Sequence, residues 1–388
     1  PTEITSTTLG NVTTTTFTGA DLGLSATFTV NFEYENRESP FFSETTFDSN
    51  ETRLLETEYH LGIHIPQQTN NGVVIGVLGR GVRMSHEAYQ ISNFWQNSGE
   101  SCGNGTDDDG NGYIDDCYGW DFNNNRATGT NEQYTNSHEQ LVTGTIIGND
   151  IENGIRGVNP NAVIMPVKLH DEVNTLLDFQ RTAEATRYVA DNITNNGGKC
   201  IINMSFGMAD SESIFRDALS YAYSKGCLIF TATGNSGAMK TNFYPELYGI
   251  GSDPDFHVIG VTGHSVDGTE RYSGSSWANS VTFAGPVYAV YSTAINGYTS
   301  LTGTSFASPV LSGLASLIWG NSSSSTREHV IQKLKDHAVS IGSATETGNG
   351  KINVRGLVES YVDLHFKTIE ADIDNDGQLE QLKVEIST

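Results

Sequence analysis

Three polar residues stand where short apolar segments meet helices or turns, and such positions suit reactive side chains. Ser305 lies in the first turn of an apolar helix expected after TGTSFASP, among small residues that let a substrate approach. His138 begins a second expected helix, and Asn235 follows a buried strand in TATGNSG. A serine, an imidazole and an amide can supply a nucleophile, a general base and an oxyanion donor. Taken singly, each residue is also consistent with a structural role as a helix cap, a packed ring or a turn residue.

A fourth strand end of this kind carries no reactive side chain. Residues 73–82 read VVIGVLGRGV, an apolar strand that runs into a glycine-rich turn. In open α/β proteins the carboxyl ends of strands carry the binding and catalytic groups. Here Gly79 and Gly81 flank Arg80, and the turn has no acid, hydroxyl or histidine.

Two acidic loops have the spacing of cation-binding loops. The first fits D-x-D-x-N-G-x-I-D, and its expected oxygen donors are Asp107, Asp109, Asn111, Tyr113 (through its carbonyl), Asp115 and Asp116. The second lies near the C-terminus, and its expected donors are Asp372, Asp374, Asp376, Gln378 and Glu380. Oxygen donors at alternate positions around a glycine turn suit Ca²⁺ better than Mg²⁺. The alternative is two solvated acidic turns.

Strands and helices alternate through most of the chain, which predicts an α/β fold with a mostly parallel sheet covered on both faces. Strands are expected at 73–78, 162–169, 200–204, 228–233 and 257–261. Helices are expected near 138–148, 175–194, 212–225, 304–319 and 326–338. Period-two alternation predicts β-rich extensions at both ends, with boundaries at 1–56, 57–360 and 361–388, and strands of the two extensions are expected to pair with each other.

Taken together, these segments resemble the subtilisin-like serine proteases (subtilases, peptidase family S8). GTSFASP is similar to the nucleophile motif, INMSFG to the strand that lines the substrate cleft, and TATGNSG to the oxyanion segment. The resemblance covers about 57–360 and implies a three-layer subtilisin-like domain. It also implies Ser305 as nucleophile, His138 as general base and Asn235 as oxyanion donor. The cleft that it implies is bordered by Ser205, Phe206 and Gly207.

The resemblance breaks down at the catalytic acid. Where the family has an aspartate this chain has Gly79, and the family's His-Gly-Thr is His138-Glu139-Gln140. Loss of the acid costs a subtilisin about 3 × 10⁴ in kcat, roughly 6 kcal/mol. Two acids are candidates to replace it. Glu139 is expected to point about 100° away from His138 on a helix, and Glu87 would have to fold back. The bulkier Glu-Gln pair is also expected to crowd the cleft.

The sequence therefore supports two functions. The favoured one is a degenerate pseudo-peptidase, a calcium-stabilised module that binds a protein ligand or self-assembles through its terminal strands. On that interpretation, water or a neighbouring side chain fills the space at Gly79, and Gly79→Asp restores some of the rate. A carboxylate on the second imidazole nitrogen of His138 would overturn the pseudo-peptidase interpretation. The alternative is an active serine endopeptidase that cleaves polypeptides with a weakened or relocated acid. Residues 1–56 resemble no inhibitory propeptide of the family, which leaves a mature chain or another kind of N-terminal module.

Charge and cysteine content limit the setting in which the protein works. The formal charge of −25, from 46 acidic and 21 basic residues, disfavours nucleic acid and anionic membranes as partners. No apolar stretch approaches the roughly 20 residues of a membrane span. Cys102 and Cys117 bracket the first acidic loop, while Cys200 and Cys227 begin two predicted strands. Either these form two disulfides, as expected of a secreted protein, or all four are free thiols.

Overall fold

The computed structural model describes residues 5–9, 12–17, 28–32, 71–128, 138–170, 178–249, 258–359, 365–371 and 380–386. The chain divides into two compact units, residues 1–50 and 51–388. In the first unit an antiparallel sheet is formed by β1 (Thr5–Leu9), β2 (Val12–Phe17) and β3 (Phe28–Phe32). The predicted boundaries near 57 and 360 lie outside the described residues, so the division into three segments stays a prediction.

The second unit is built around a large sheet and the helices that cover it. Its strands are β4 (Val73–Gly79), β5 (Trp120–Asp121), β6 (Arg126–Ala127), β7 (Asn149–Asp150), β8 (Ile155–Arg156), β9 (Val163–Lys168), β10 (Lys199–Met204), β11 (Leu228–Ala232), β12 (Val258–His264), β13 (Val281–Pro286), β14 (Val290–Thr293), β15 (Tyr298–Leu301), β16 (Ala338–Val339), β17 (Lys351–Ile352), β18 (His365–Ala371) and β19 (Glu380–Ile386). Its α-helices are α1 (His138–Ile147), α2 (Phe179–Thr194), α3 (Ser213–Ser224), α4 (Thr304–Gly320), α5 (Arg327–Asp336), α6 (Ala344–Thr347) and α7 (Val354–Glu359).

Ten of these strands form one sheet in the order β16-β17-β13-β12-β11-β10-β4-β9-β5-β6. From β13 to β9 every neighbouring pair is parallel. The register places Leu78 of β4 opposite Met204 of β10, and Thr231 of β11 opposite Met204. The carboxyl ends of β4, β10 and β11 therefore meet at one edge of the sheet. The predicted α/β fold with a mostly parallel sheet is confirmed.

The sheet is covered on both faces because successive side chains of its strands point in opposite directions. In β4, Ile75 and Val77 belong to one buried apolar cluster, with residues of α1 and α4. Val74 and Leu78 belong to a second buried cluster, with residues of α2 and α3. Each cluster removes apolar surface from water on its own side of the sheet, and together they give the three layers.

Helix α4 is the element that carries Ser305, and it is buried almost all round. Pro309 lies inside this helix and has no N–H to donate to the carbonyl of Ser305 four residues earlier. That carbonyl instead accepts a hydrogen bond of 2.7 Å from the Ser205 hydroxyl. Below it, the Asn203 side chain accepts hydrogen bonds from Ser308 and Ser312 of the helix. The first turns of α4 are thereby fixed to the end of β10.

Both predicted disulfides are present. Cys102 is bonded to Cys117, which closes the base of the first acidic loop. Cys200 is bonded to Cys227 between the parallel neighbours β10 and β11, with 4.5 Å between their Cα atoms. The alternative of four free thiols is therefore wrong.

The C-terminal strands β18 and β19 pair antiparallel with each other, from His365 opposite Ile386 to Ala371 opposite Glu380. The N-terminal strands β1 to β3 pair among themselves, and a pairing between the two ends of the chain stays a prediction. Residues 372–379, most of the second acidic loop, lie outside the described residues. Self-assembly through these strands stays a prediction. Among the helices that the structure describes, no helix is both long and apolar enough to span a membrane.

Candidate active site

The hydroxyl of Ser305 lies at the carboxyl edge of the sheet, half-buried in the first turn of α4. It donates a hydrogen bond of 3.1 Å to the carbonyl of Ser205, which directly follows β10. The Ser205 hydroxyl in turn donates a hydrogen bond to the Ser305 carbonyl, so the two residues are joined by two hydrogen bonds. The predicted cleft residue Ser205 therefore contacts the predicted nucleophile directly.

The imidazole of His138 lies beside the start of α4. Its ring centroid is 5.9 Å from that of Phe306, the residue after Ser305. His138 is the first residue of α1 and its side chain is 26% exposed, so the ring can be reached from outside. The structure thus brings the predicted nucleophile and general base to the same edge, and their hydrogen bond stays a prediction.

The second imidazole nitrogen of His138 does have a carboxylate partner. Oε1 of Glu139 lies 2.8 Å from Nδ1 of His138. The expectation that Glu139 points away is wrong, and the cause is Gly79. A Cβ on Gly79 would overlap the Glu139 carboxylate and would lie 2.5 Å from its Cγ and Cδ. Because glycine leaves that space empty, the Glu139 side chain folds back into it and meets the neighbouring imidazole.

Charge complementarity shifts the pKa values of this pair in opposite directions. Burial alone disfavours both charged forms and is the largest single influence on each. For His138, the attraction of the Glu139 carboxylate and its hydrogen bond outweigh burial and raise the pKa. For Glu139, the same partner, with Arg80 and His170 nearby, lowers the pKa of a side chain that is only 3% exposed. The site therefore favours an ion pair.

Gln140 lies below the cleft instead of crowding it. Its side chain is fully buried, accepts a 2.9 Å hydrogen bond from the backbone N–H of Arg83 and donates to the Arg83 carbonyl at 3.3 Å. The Glu-Gln pair therefore turns inward, one residue to the imidazole and the other to the loop after β4. Glu87, the other candidate acid, is exposed and lines a surface cavity with Asn149 and Pro160.

Asn235 is held against the start of α4 by its amide oxygen. Oδ1 accepts hydrogen bonds from the backbone N–H of Thr304, at 2.8 Å, and from its hydroxyl, at 3.1 Å. The first N–H groups of a helix have no partner within the helix, so Oδ1 satisfies one of them. This contact turns Nδ2 towards Gly303. A Cβ on Gly303 would lie 3.2 Å from that nitrogen, so the amide packs closely against the glycine. Asn235 is an exposed residue, and its amide nitrogen can donate a hydrogen bond, so its role as oxyanion donor stays a prediction.

Three carboxylates come close together at the first acidic loop. Carboxylate oxygens of Glu100, Asp109 and Asp116 lie within 4.8 Å of one another. Asp107 instead accepts from the backbone N–H groups of residues 111 and 112, and Asp115 from those of residues 103–105. These two carboxylates stabilise the tight turns, and their expected role as cation donors stays a prediction.

Asp116 is the buried member of the cluster. It has no solvent exposure, and burial raises its pKa despite hydrogen bonds from Tyr188, Asn97 and Asn111. Asn97 and Asn111 also contact Asp109. The ring of Tyr113 packs edge-on against Trp120, Phe122 and Tyr188, which anchors the loop in the second apolar cluster.

A serine in the first turn of a buried helix, an imidazole with a carboxylate on its second nitrogen, and an adjacent amide are the parts of a serine hydrolase site. Comparison with known proteins specifies the class further. The chain belongs to the subtilase family, whose model matches residues 70–356.

Individual relatives agree with this assignment. The chain is 32% identical to Subtilisin DY of Bacillus licheniformis over 229 residues, which cover 58% of this chain and 78% of that protein. It is 29% identical to Subtilisin-like protease 1 of Plasmodium falciparum over 75% of this chain, but this covers only 43% of that longer protein. Among solved structures, Sphericase superposes with a TM-score of 0.57 at 29% identity, over 72% of this chain and 91% of that one.

Two contributors to the site escaped the sequence analysis. Glu100 precedes the D-x-D-x-N-G spacing, yet one of its oxygens accepts the backbone N–H of residues 108 and 109 and the other that of residue 115. Phe243 is an apolar residue in a loop, and its position against Gly207 depends on the fold alone. The only signal for Glu100 was an acid immediately before Ser101 and Cys102.

Proposed function

We propose that the chain is a secreted serine endopeptidase whose catalytic acid is Glu139. The observation that carries this proposal is the 2.8 Å contact between Oε1 of Glu139 and Nδ1 of His138, in the space that Gly79 leaves open. An acid on that nitrogen fixes the imidazole tautomer and stabilises the imidazolium that forms during catalysis. A degenerate site would lack such a group.

In this mechanism the Ser305 hydroxyl turns from the Ser205 carbonyl towards the imidazole. Its oxygen attacks the scissile carbonyl carbon while His138 takes its proton through Nε2. The Nδ2 hydrogens of Asn235 stabilise the negative charge that develops on the carbonyl oxygen. The imidazolium then gives the proton to the leaving amine, and water hydrolyses the acyl-enzyme by the reverse sequence of proton transfers. Glu139 stays ionised throughout.

Extracellular polypeptides are the substrate class that this proposal implies. The family acts on polypeptides. Ser305 is half-buried and Asn235 is exposed, which leaves the nucleophile open to an extended chain. Two disulfides fit an oxidising compartment. Self-assembly through the terminal strands forms no part of the proposal.

Calcium is proposed as a structural ion in the first acidic loop. Its chemistry fits, because Glu100, Asp109 and Asp116 present converging carboxylates and the amides of Asn97 and Asn111 lie among them. Hard oxygen donors with several negative charges suit Ca²⁺. The ion would offset the repulsion of these carboxylates and order the loop around the disulfide. The expected roles of Asp107, Asn111, Tyr113 and Asp115 as donors, and the whole second loop, remain predictions.

Peptide cleavage tests the proposed activity. The purified chain should cleave an unstructured protein substrate, both Ser305→Ala and His138→Ala should abolish that cleavage, and Ser305→Ala should retain the native melting temperature. A native chain no faster than Ser305→Ala would refute the proposal and return the pseudo-peptidase interpretation.

A further inference from the structure

The ring of Phe243 lies between two glycines at the carboxyl edge of the sheet. A Cβ on Gly207 would overlap the tip of the ring and lie 2.5 Å from its Cε2 atom. A Cβ on Gly234 would lie 3.2 Å from Cζ. Gly207 follows β10 and Gly234 follows β11, so the ring occupies the gap between the extensions of two neighbouring strands.

The loop that carries Phe243 is fixed in this position. Tyr244, the next residue, exchanges two backbone hydrogen bonds with Met208, each of 2.8 Å. Lys240 places its ammonium nitrogen 5.5 Å from the ring centroid. Because Met208 directly follows Gly207, the paired backbones hold the ring over that glycine. The side chain is only half-buried.

This gap lies beside the proposed reaction centre. On one side, Ser205 contacts Ser305 in both directions. On the other, Gly234 has a φ of 95°, at which a side chain would be strained. Its N–H donates to the Thr304 hydroxyl at 3.0 Å, next to Asn235. P1 is the substrate residue whose carbonyl is attacked. With that carbonyl between Ser305 and Asn235, the P1 side chain would be directed between these two extensions.

We propose that Phe243 fills the bottom of the P1 subsite and restricts cleavage to bonds that follow small residues, namely glycine, alanine and serine. This inference rests on the proposed peptidase function. A large P1 side chain would need the volume that the aromatic ring already occupies, and a closely packed protein surface yields such volume only with strain. Specificity of this kind is a difference in transition-state binding, so it is measured as a ratio of kcat/KM values.

Two peptides that differ only at P1, alanine against phenylalanine, test the proposal. The native chain should favour the alanine peptide by at least about tenfold in kcat/KM. Phe243→Ala should reduce that ratio by about tenfold or more, chiefly through faster cleavage of the phenylalanine peptide. Phe243→Leu, which keeps most of the bulk, is the matched control and should retain the preference for alanine. A native preference for phenylalanine, or a ratio unchanged in Phe243→Ala, would overturn the proposal.

Binding to an inactive background separates this proposal from the proposed activity. Ser305→Ala and the double variant Ser305→Ala with Phe243→Ala are titrated with the same two peptides by calorimetry. Ser305→Ala should bind the alanine peptide more tightly, and the double variant should lose that preference. Equal affinities for the two peptides in both variants would refute a P1 role for Phe243. Failure of the native chain to cleave either peptide would refute the activity alone.

Discussion

The carboxylate of Glu139 lies in the space that a side chain on Gly79 would need, because a Cβ there would be 2.5 Å from Cγ and Cδ of the glutamate. The two residues are 60 positions apart in sequence, yet the absence of a side chain at one determines where the side chain of the other goes. The glycine that suggested a lost catalytic acid is therefore what allows an acid to contact His138.

Removing the Glu139 charge should impair turnover without unfolding the protein. Glu139→Gln keeps the shape of the side chain but removes the charge that stabilises the imidazolium. We expect kcat/KM to fall about 10³- to 10⁴-fold, mainly in kcat. Steady-state kinetics on a peptide substrate measure the loss. Glu87→Gln, at the exposed rival acid, is the control and should leave both constants unchanged.

Adding a side chain at Gly79 alone should harm the enzyme instead of restoring it, which reverses the expectation from sequence. Gly79→Ala and Gly79→Asp would push the Glu139 carboxylate from its place, at a cost of about 1–3 kcal/mol of overpacking. Both variants should show a lower free energy of unfolding in urea and a lower kcat/KM.

The double variant provides the matched test of that clash. Glu139→Gly removes the obstruction, so Gly79→Asp combined with it should recover activity that Glu139→Gly alone has lost. If Gly79→Asp alone were as stable as the native chain and more active, then a side chain at position 79 and the Glu139 carboxylate would not compete for the same space.

The pH dependence of activity should move with the Glu139 charge. Neutral His138 is the active base, so kcat/KM rises as pH increases through its pKa, which the carboxylate raises above the ordinary value. In Glu139→Gln only burial and Arg80 remain among the main influences, and both lower that pKa. The residual activity should therefore begin to rise at a lower pH. A pH profile of the two proteins checks this sign, and an unchanged or raised midpoint would contradict it.

Calcium should stabilise the fold through the first acidic loop. An ion that binds only the folded form adds about 2.7 kcal/mol at a hundredfold excess over Kd. We expect a chelator to lower the melting temperature and to expose the loop to proteolysis. Asp109→Ala should remove one binding event in calorimetry, and Asp374→Ala should remove another at the second loop.

Asp108→Asn is the control for the loop. The Asp108 carboxylate is exposed, accepts hydrogen bonds from Ser101, Asn104 and Thr106, and lies outside the cluster of Glu100, Asp109 and Asp116. The Asp108→Asn variant should therefore keep the calcium-binding event in calorimetry. Identical melting curves with and without chelator would show that the loop needs no ion.

Much of the fold could be predicted because its signals are local. Apolar runs bounded by glycine and polar turns marked β4, β10 and β11, and small residues before an apolar run marked α4. Strands without such contrast, among them β13 to β15, were missed. Cys200 and Cys227 begin two predicted strands, and the structure pairs these strands in parallel and bonds the two sulfurs.

The site was predicted less completely because its decisive contacts join distant segments. The 100° spacing between His138 and Glu139 applies to side chains that extend away from a helix, and it does not describe one that folds back into a space left by Gly79. Nothing near Phe243 indicates which glycines its ring will cover. In each case the determining feature is empty volume, which no single residue type marks in a sequence.

The most direct measurement of the central claim is the rate at which a fluorophosphonate labels Ser305 in the native chain and in Glu139→Gln. Labelling requires an activated hydroxyl but no particular peptide, so it is independent of the P1 preference. If Glu139 is the catalytic acid, the native chain is labelled at Ser305, as mass spectrometry of the peptide would show, and Glu139→Gln is labelled at least about a hundredfold more slowly. A native chain that is not labelled, or equal rates in the two proteins, would contradict the assignment.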